Sequence, residues 1–202
     1  MTNSKTPKGR GRPKANNRQD IIEAVMDNYW HHGFQRFSLN EVCRRVSVSK
    51  PSMYREFGGE DGLVDAVLHH YHQVVVKQII SIIAAEQPFD VAMDHLIMGM
   101  TTPQEHPPGC LFTEMRILRE RLGAQSLARL EAIETERQQA FERWYQRALE
   151  HNQVNPSLSS KAASHYIDAQ FALLLLDMGA GKPPTAVRSC AQLAMSVLSA
   201  QN

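Results

Sequence analysis

Between Ser38 and Phe57 the order of polar, apolar and breaker residues admits few conformations. Ser38-Leu39-Asn40-Glu41 has the form of a capping box, in which the Ser38 hydroxyl takes the Glu41 amide hydrogen and the Glu41 carboxylate reaches back to the Ser38 amide. A helix is therefore expected from Leu39. Leu39, Val42, Cys43 and Val46 recur at helical spacing on one face, with Arg44 and Arg45 off it. Ser47-Val48-Ser49 interrupts the pattern, and Ser49 can cap a second helix. Pro51 is tolerated in that helix's first turn, where amide hydrogens have no intrahelical partner, and the helix should end by Phe57, before Gly58-Gly59. Such a pair can be plain core packing, but it also has the parts of a DNA-binding helix-turn-helix. In that case the second helix enters the major groove with Lys50, Pro51, Ser52, Tyr54 and Arg55 outward and Met53 and Phe57 inward. Ser38 and Arg44 complete the candidate DNA-contacting set of the pair.

Gly33-Phe34, the segment from Ser38 to Ser49, Pro51-Ser52-Met53-Tyr54, Phe57-Gly58 and Leu63 together resemble the N-terminal signature of TetR-family transcriptional regulators. The likeness runs from about Asn17 to Tyr71, roughly a quarter of the chain, with many positions agreeing in order. The resemblance implies a first helix packed over the pair, recognition by the third helix, and a phosphate contact from the Tyr54 position. Glu56 stands where the family often has His. Glu60 stands where it usually has a Lys that meets phosphate, and an acid there would repel DNA, so that contact is not carried over.

The remaining composition narrows the setting. Six of the 22 basic residues (Lys5, Lys8, Arg10, Arg12, Lys14 and Arg18) precede the first acid, Asp20, leaving 16 against 21 acidic residues elsewhere. A basic arm on a mildly acidic body directs the arm at a polyanion. Residues 1–16 are polar and rich in Gly and Pro, and are expected to be disordered without a partner. Within them Lys8-Gly9-Arg10-Gly11-Arg12-Pro13-Lys14 resembles an AT-hook core: a narrow, extended chain that could lay Arg10, Arg12 and Lys14 along an A·T-rich minor groove. A solubilising basic tail would look similar. No apolar run approaches the ~18 residues of a membrane span, and the basic N-terminus lacks the apolar segment of a signal peptide. Cys43, Cys110 and Cys190 are odd in number and far apart, which suits reduced thiols in a cytoplasm.

Beyond the head, helical periodicity predicts a long helix over residues 60–85, a fifth over 88–102, a proline-rich loop at 103–109, a sixth helix over 110–122 and a long seventh over 124–150. Leu127, Leu130, Arg137, Phe141, Trp144 and Ala148 stand in near-heptad order on the seventh. Asn155-Pro156 reads as a cap followed by proline at the first position of an eighth helix, and a ninth is expected over 185–200. The eighth carries Phe171-Ala172-Leu173-Leu174-Leu175-Leu176, apolar on more faces than one contact can use. With the small residues of the ninth it suggests half of a four-helix dimer interface, formed by Leu173, Leu176, Val187, Ala191, Ala194 and Leu198. An interior hairpin is the alternative.

Tyr71, Met100, Phe112, Met115, Trp144, Tyr145 and Tyr166 could line a cavity for an apolar effector, with Arg116 a polar anchor, although most such side chains would serve the core equally well. Cys110, at the start of the sixth helix, is a candidate thiol in the same region, and the resemblance extends to a TetR subgroup in which some members sense electrophiles or oxidants at a Gly-Cys-Leu here. The nine His residues lack the paired spacing of a structural metal site, and no phosphate loop, nucleophile elbow or acid pair points to an enzyme or a cofactor.

The expectation is an all-α chain of about nine helices: an arm (1–16), a three-helix DNA-binding domain (17–62) and a C-terminal effector-binding and dimerisation domain (63–202). It would act as a cytoplasmic homodimeric repressor on a palindromic double-stranded operator, released by a small-molecule or thiol-reactive effector. An architectural DNA-binding protein without an effector, and a helical small-molecule-binding protein, are the rival readings.

Overall fold

The computed structural model describes residues 17–102 and 107–200, and the arm residues Arg10, Arg12 and Lys14 lie outside that range. Among the described residues the regular structure is helical, apart from one isolated antiparallel bridge between Val154 and Ser199. Helix α1 (Arg18–His32) opens on a complete capping box, Asn17 Oδ1 accepting from the Asp20 amide at 2.8 Å and Asp20 Oδ2 from the Asn17 amide at 3.2 Å. It stops at Gly33, whose φ of 88° a side-chain-bearing residue would resist.

Helix α2 (Leu39–Arg45) starts where its cap predicts, yet the box at Ser38 is only half made. Ser38 Oγ accepts from the Glu41 amide at 3.4 Å, while the Glu41 carboxylate accepts from Arg44 and Arg45. Two guanidiniums within one turn outcompete a single amide hydrogen. Helix α3 (Lys50–Phe57) is capped by Ser49, holds Pro51 in its first turn and ends at left-handed Gly58.

Helix α4 (Glu60–Tyr71) continues through a π-helical segment, His72–Val76, into α5 (Lys77–Ala84), so the two form the single long rod expected from the sequence. There follow α6 (Phe89–Thr101), α7 (Leu111–Ile117), α8 (Ala124–Glu150), α9 (Ser160–Gly179) and α10 (Pro184–Met195). Counting α4–α5 once gives nine helices among the described residues, in line with the roughly nine expected. The start of α9 differs from expectation: its cap is Ser159, accepting from the Ala162 amide. Asn155 instead accepts from the Ser157 amide through its side chain and donates its own amide to Leu198 O, tying the α8–α9 turn to the C-terminal segment.

Two apolar cores result. One joins α1–α4 to Leu111, Phe112 and Met115 on α7 and Leu130 and Ile133 on α8. The other fills the space between α6, the upper half of α8, α9 and α10. The helix-turn-helix head therefore rests on the body through a continuous core, and α8 runs through both cores.

Candidate nucleic-acid interface and effector cavity

The head sorts its residues as the pattern requires. Leu39, Val42, Cys43, Val46, Met53 and Phe57 are buried, whereas Lys50, Pro51, Tyr54 and Arg55 are exposed and Ser52 is half-buried. The tight turn between the helices depends on Ser47, which adopts a positive φ of 55°, and on the Val48 amide donating to Cys43 O at 2.9 Å. Tyr54 is about half exposed and has the Lys50 ammonium 6.0 Å from its ring centroid, so one cation and one phenol share the outer face of α3. Ser38 and Arg44 are also exposed, but Arg44 is engaged with Glu41. Two acids frame this surface. Glu60 is exposed at the start of α4, while Asp61 turns to the body and accepts from the Gln125 and Ser126 amides at 2.9 and 3.0 Å and from Ser126 Oγ at 2.6 Å, capping α8. Burial pushes the Asp61 carboxyl up, but these hydrogen bonds prevail and hold it below its ordinary range.

A second tie joins head to body. The Phe34 amide donates to Glu114 Oε1 on α7 at 2.9 Å, and burial raises the Glu114 pKa against the lowering effect of that bond. Helix α7 begins at Cys110, whose thiol enters the body's main cavity.

That cavity, about 570 Å³, lies between the rod, α6, the 107–110 segment and α9. Of the residues expected to line it, Tyr71, Met100 and Cys110 do so, with Tyr71 Oη 3.1 Å from Cys110 Sγ. Phe112 lines a smaller chamber that shares Tyr71 and Cys110 with the main one. The others are corrected by their packing. Met115 is buried in the core between head and body. Trp144 stacks on Phe89 at 4.3 Å, Tyr145 donates its hydroxyl to Asn155 O, and Tyr166 donates to Ala194 O. Arg116 is held by Glu134 and Asp168. The cavity wall is built instead from Trp30, Gln78, Ile79, His95, Leu175 and their neighbours, together with Gly99, Gly109 and Gly181. At Gly109 a Cβ would come within 3.2 Å of Gly179 Cα, so the absence of a side chain lets the loop lie against α9. Arg137, which also lines the smaller chamber, was legible in the sequence as the one charge in the apolar order of α8.

The expected dimer set divides. Leu173 and Leu176 are exposed on α9 and Ala194 is half-buried, but Val187, Ala191 and Leu198 face their own subunit's core and cannot form a surface. The large exposed apolar side chains of α10 and its terminal turn are Leu193, three-quarters exposed, and Val197. Among the described residues no group of three or more His, Cys, Asp or Glu side chains could hold a metal ion, and no helix is long and apolar enough to cross a membrane.

The fold is thus a helix-turn-helix head with an open third-helix face, mounted on a helical body with a cavity. Residues 21–67 match the model for bacterial regulatory proteins of the tetR family. The chain is 30% identical over 107 residues to the HTH-type transcriptional repressor ComR of Escherichia coli (strain K12), covering 51% of either chain, and it spans about half the length of the curated relatives it matches. In fold it is similar to a TetR-family regulator from Agrobacterium tumefaciens (TM-score 0.78, 14% identity, 90% of this chain and 97% of that one). It is also similar to a cysteine mutant of the regulator CifR complexed with operator DNA (TM-score 0.70, 20% identity, 92% and 98%).

Proposed function

We propose that the protein is a sequence-specific DNA-binding transcriptional repressor that acts as a homodimer and is released when an apolar small molecule occupies the body cavity. The observation that carries this reading is the division of α3: Met53 and Phe57 anchor it in the core while Lys50, Tyr54 and Arg55 are exposed on its outer face. ComR is named as a repressor and the CifR mutant is complexed with operator DNA, which supports the same reading. Residues 17–62 would bind DNA and 63–202 would bind effector and partner. The partner would sit on the exposed apolar residues of α9 and α10, with Leu193 and Val197 taking the part expected of Val187, Ala191 and Leu198. Arg10, Arg12 and Lys14 would follow the minor groove beside each half-site.

A ligand shifts the equilibrium only if it binds the DNA-free geometry better than the DNA-bound one. The route here is short: the cavity wall includes Cys110, α7 starts there, and Glu114 one turn later holds the head at Phe34.

The test is fluorescence anisotropy on duplexes selected from a random pool, against scrambled controls. Lys50→Ala and Arg55→Ala should lower affinity for the selected site by roughly 10- to 100-fold where they reach bases. Tyr54→Ala should weaken selected and scrambled DNA alike. Equal losses on both DNAs for all three variants would remove base readout from α3.

A further inference from the structure

Next to the main cavity, with Tyr71 and Cys110 in the wall of both, lies the smaller chamber, about 20 Å³, lined also by Phe112, Phe141, Phe171 and Arg137. The Arg137 guanidinium lies 4.9 Å from the Phe112 centroid and 5.8 Å from that of Phe141. Arg137 is only 8% exposed and donates from one terminal nitrogen to Asp168, but its Nε–H is buried with no acceptor among the described residues. A buried charged donor left in that state is costly, and among the described residues Arg137 is the one charged residue lining the small chamber.

The charge around Arg137 decides what its acceptor can be. Asp168 pairs with Arg137 and Arg116, Glu134 with Arg116 and Arg119, and Glu131 with Arg119. Three guanidiniums face three carboxylates, so the network holds no surplus cation. A carboxylate entering the chamber would lose its hydration without gaining a free counter-charge, whereas an uncharged acceptor would satisfy Nε–H at little desolvation.

We infer that the chamber is a specificity subsite for an uncharged carbonyl oxygen, and that the ligand is a flat apolar molecule ending in a ketone or related carbonyl, its apolar body in the main cavity. This inference rests on the reading of that cavity as the effector site. It replaces Arg116 by Arg137 as the polar anchor.

The test is isothermal titration of the full-length protein with naphthyl methyl ketone, ethylnaphthalene and naphthoate, all substituted at the same ring position. Because a hydrogen bond to a charged donor is made in only one of the uncharged probes, the ketone should bind roughly 10- to 100-fold more tightly than the hydrocarbon. Naphthoate should bind more weakly than the ketone. Arg137→Met leaves Asp168 its Arg116 partner and should bring ketone and hydrocarbon within about threefold of each other. Asp168→Asn gives the network one surplus cation and should move the preference toward naphthoate, a readout that remains if Arg137→Met does not fold. No binding, a wild-type preference below about threefold, tightest binding of naphthoate, or an unchanged ketone preference in folded Arg137→Met would each overturn the inference. Binding with the expected selectivity but no release of DNA would overturn the effector reading and leave the subsite intact.

Discussion

Removing the Glu114 carboxylate should loosen the head from the body, and the size of the effect follows from one hydrogen bond. Glu114 Oε1 accepts from the Phe34 amide at 2.9 Å, and Phe34 is 9% exposed, so Glu114→Ala leaves a buried donor without its acceptor. That should cost about 1–3 kcal/mol, or roughly 2–12 °C in melting temperature for a chain of this size. Glu114→Gln keeps an acceptor oxygen and removes the charge. Because burial raises the Glu114 pKa above 4.5, the folded state binds this proton more readily than the unfolded one. The stability it contributes is fully present below the unfolded pKa and is lost as pH rises through the folded value. At neutral pH the Gln variant should therefore melt at or above the wild type, and below about pH 4.5 the wild type should recover relative to it. Gly33→Ala gives an independent handle: its Cβ would stand 3.1 Å from the same Glu114 oxygen at a φ of +88°, so it should resemble Glu114→Ala. Thermal melts of the four proteins from acid to neutral pH provide the measurement. An Ala variant that melts within a degree of wild type, or a Gln variant as damaged as Ala, would refute the reasoning.

Three further outcomes can be measured. Asp61→Ala should destabilise the chain by about 1–3 kcal/mol, because two amides and a hydroxyl at the start of α8 lose their acceptor. Since the Asp61 pKa is held below 3.8, its contribution is present above that value and disappears as pH falls through the folded pKa, so the penalty should vanish in strong acid denaturation profiles. Leu193→Glu places a charge on the most exposed apolar side chain of α10 and should yield monomers in sedimentation velocity with weakened operator affinity; an intact dimer would place the interface elsewhere. Deleting residues 1–14 should make the slope of log affinity against log salt shallower by roughly 2–4 units per subunit, with the larger loss on A·T-flanked sites, and an unchanged slope would make the arm a solvated tail.

The sequence disclosed the head better than the body, for a physical reason. Within α2 and α3 each decision is local: Ser49, Pro51 and Gly58 act on amides a few residues away, and the apolar spacing has one core to face. Where the reading missed, the deciding partner was distant. Asn155-Pro156 has the local form of a helix start, but Asn155 is engaged by Leu198, more than 40 residues later. Glu41 is the local exception: arginines three and four residues on take the carboxylate expected at a single amide. The cavity was misread more systematically. Three of the large aromatics expected in its wall lie elsewhere: Trp144 and Tyr145 fill the core, and Tyr166 packs against it. A void is made where side chains are missing, at Gly99, Gly109 and Gly181, and glycine carries no apolar signal to find it by.

Four neighbouring leucines on α9 show what this means for substitution. Leu173 and Leu176 are exposed, Leu174 is in the body core at 3% exposure, and Leu175 lines the cavity. One helix thus faces the cavity, the core and the outside, and identical letters in a row report on three environments. A saturation library across residues 173–176 should return tolerance profiles that change from one position to the next: charge excluded but size forgiven at Leu173 and Leu176, both excluded at Leu174, and size at Leu175 exchanged for a different preferred ligand. Under the proposed function, the range of ligands can drift at Leu175 while Leu174 beside it holds the fold.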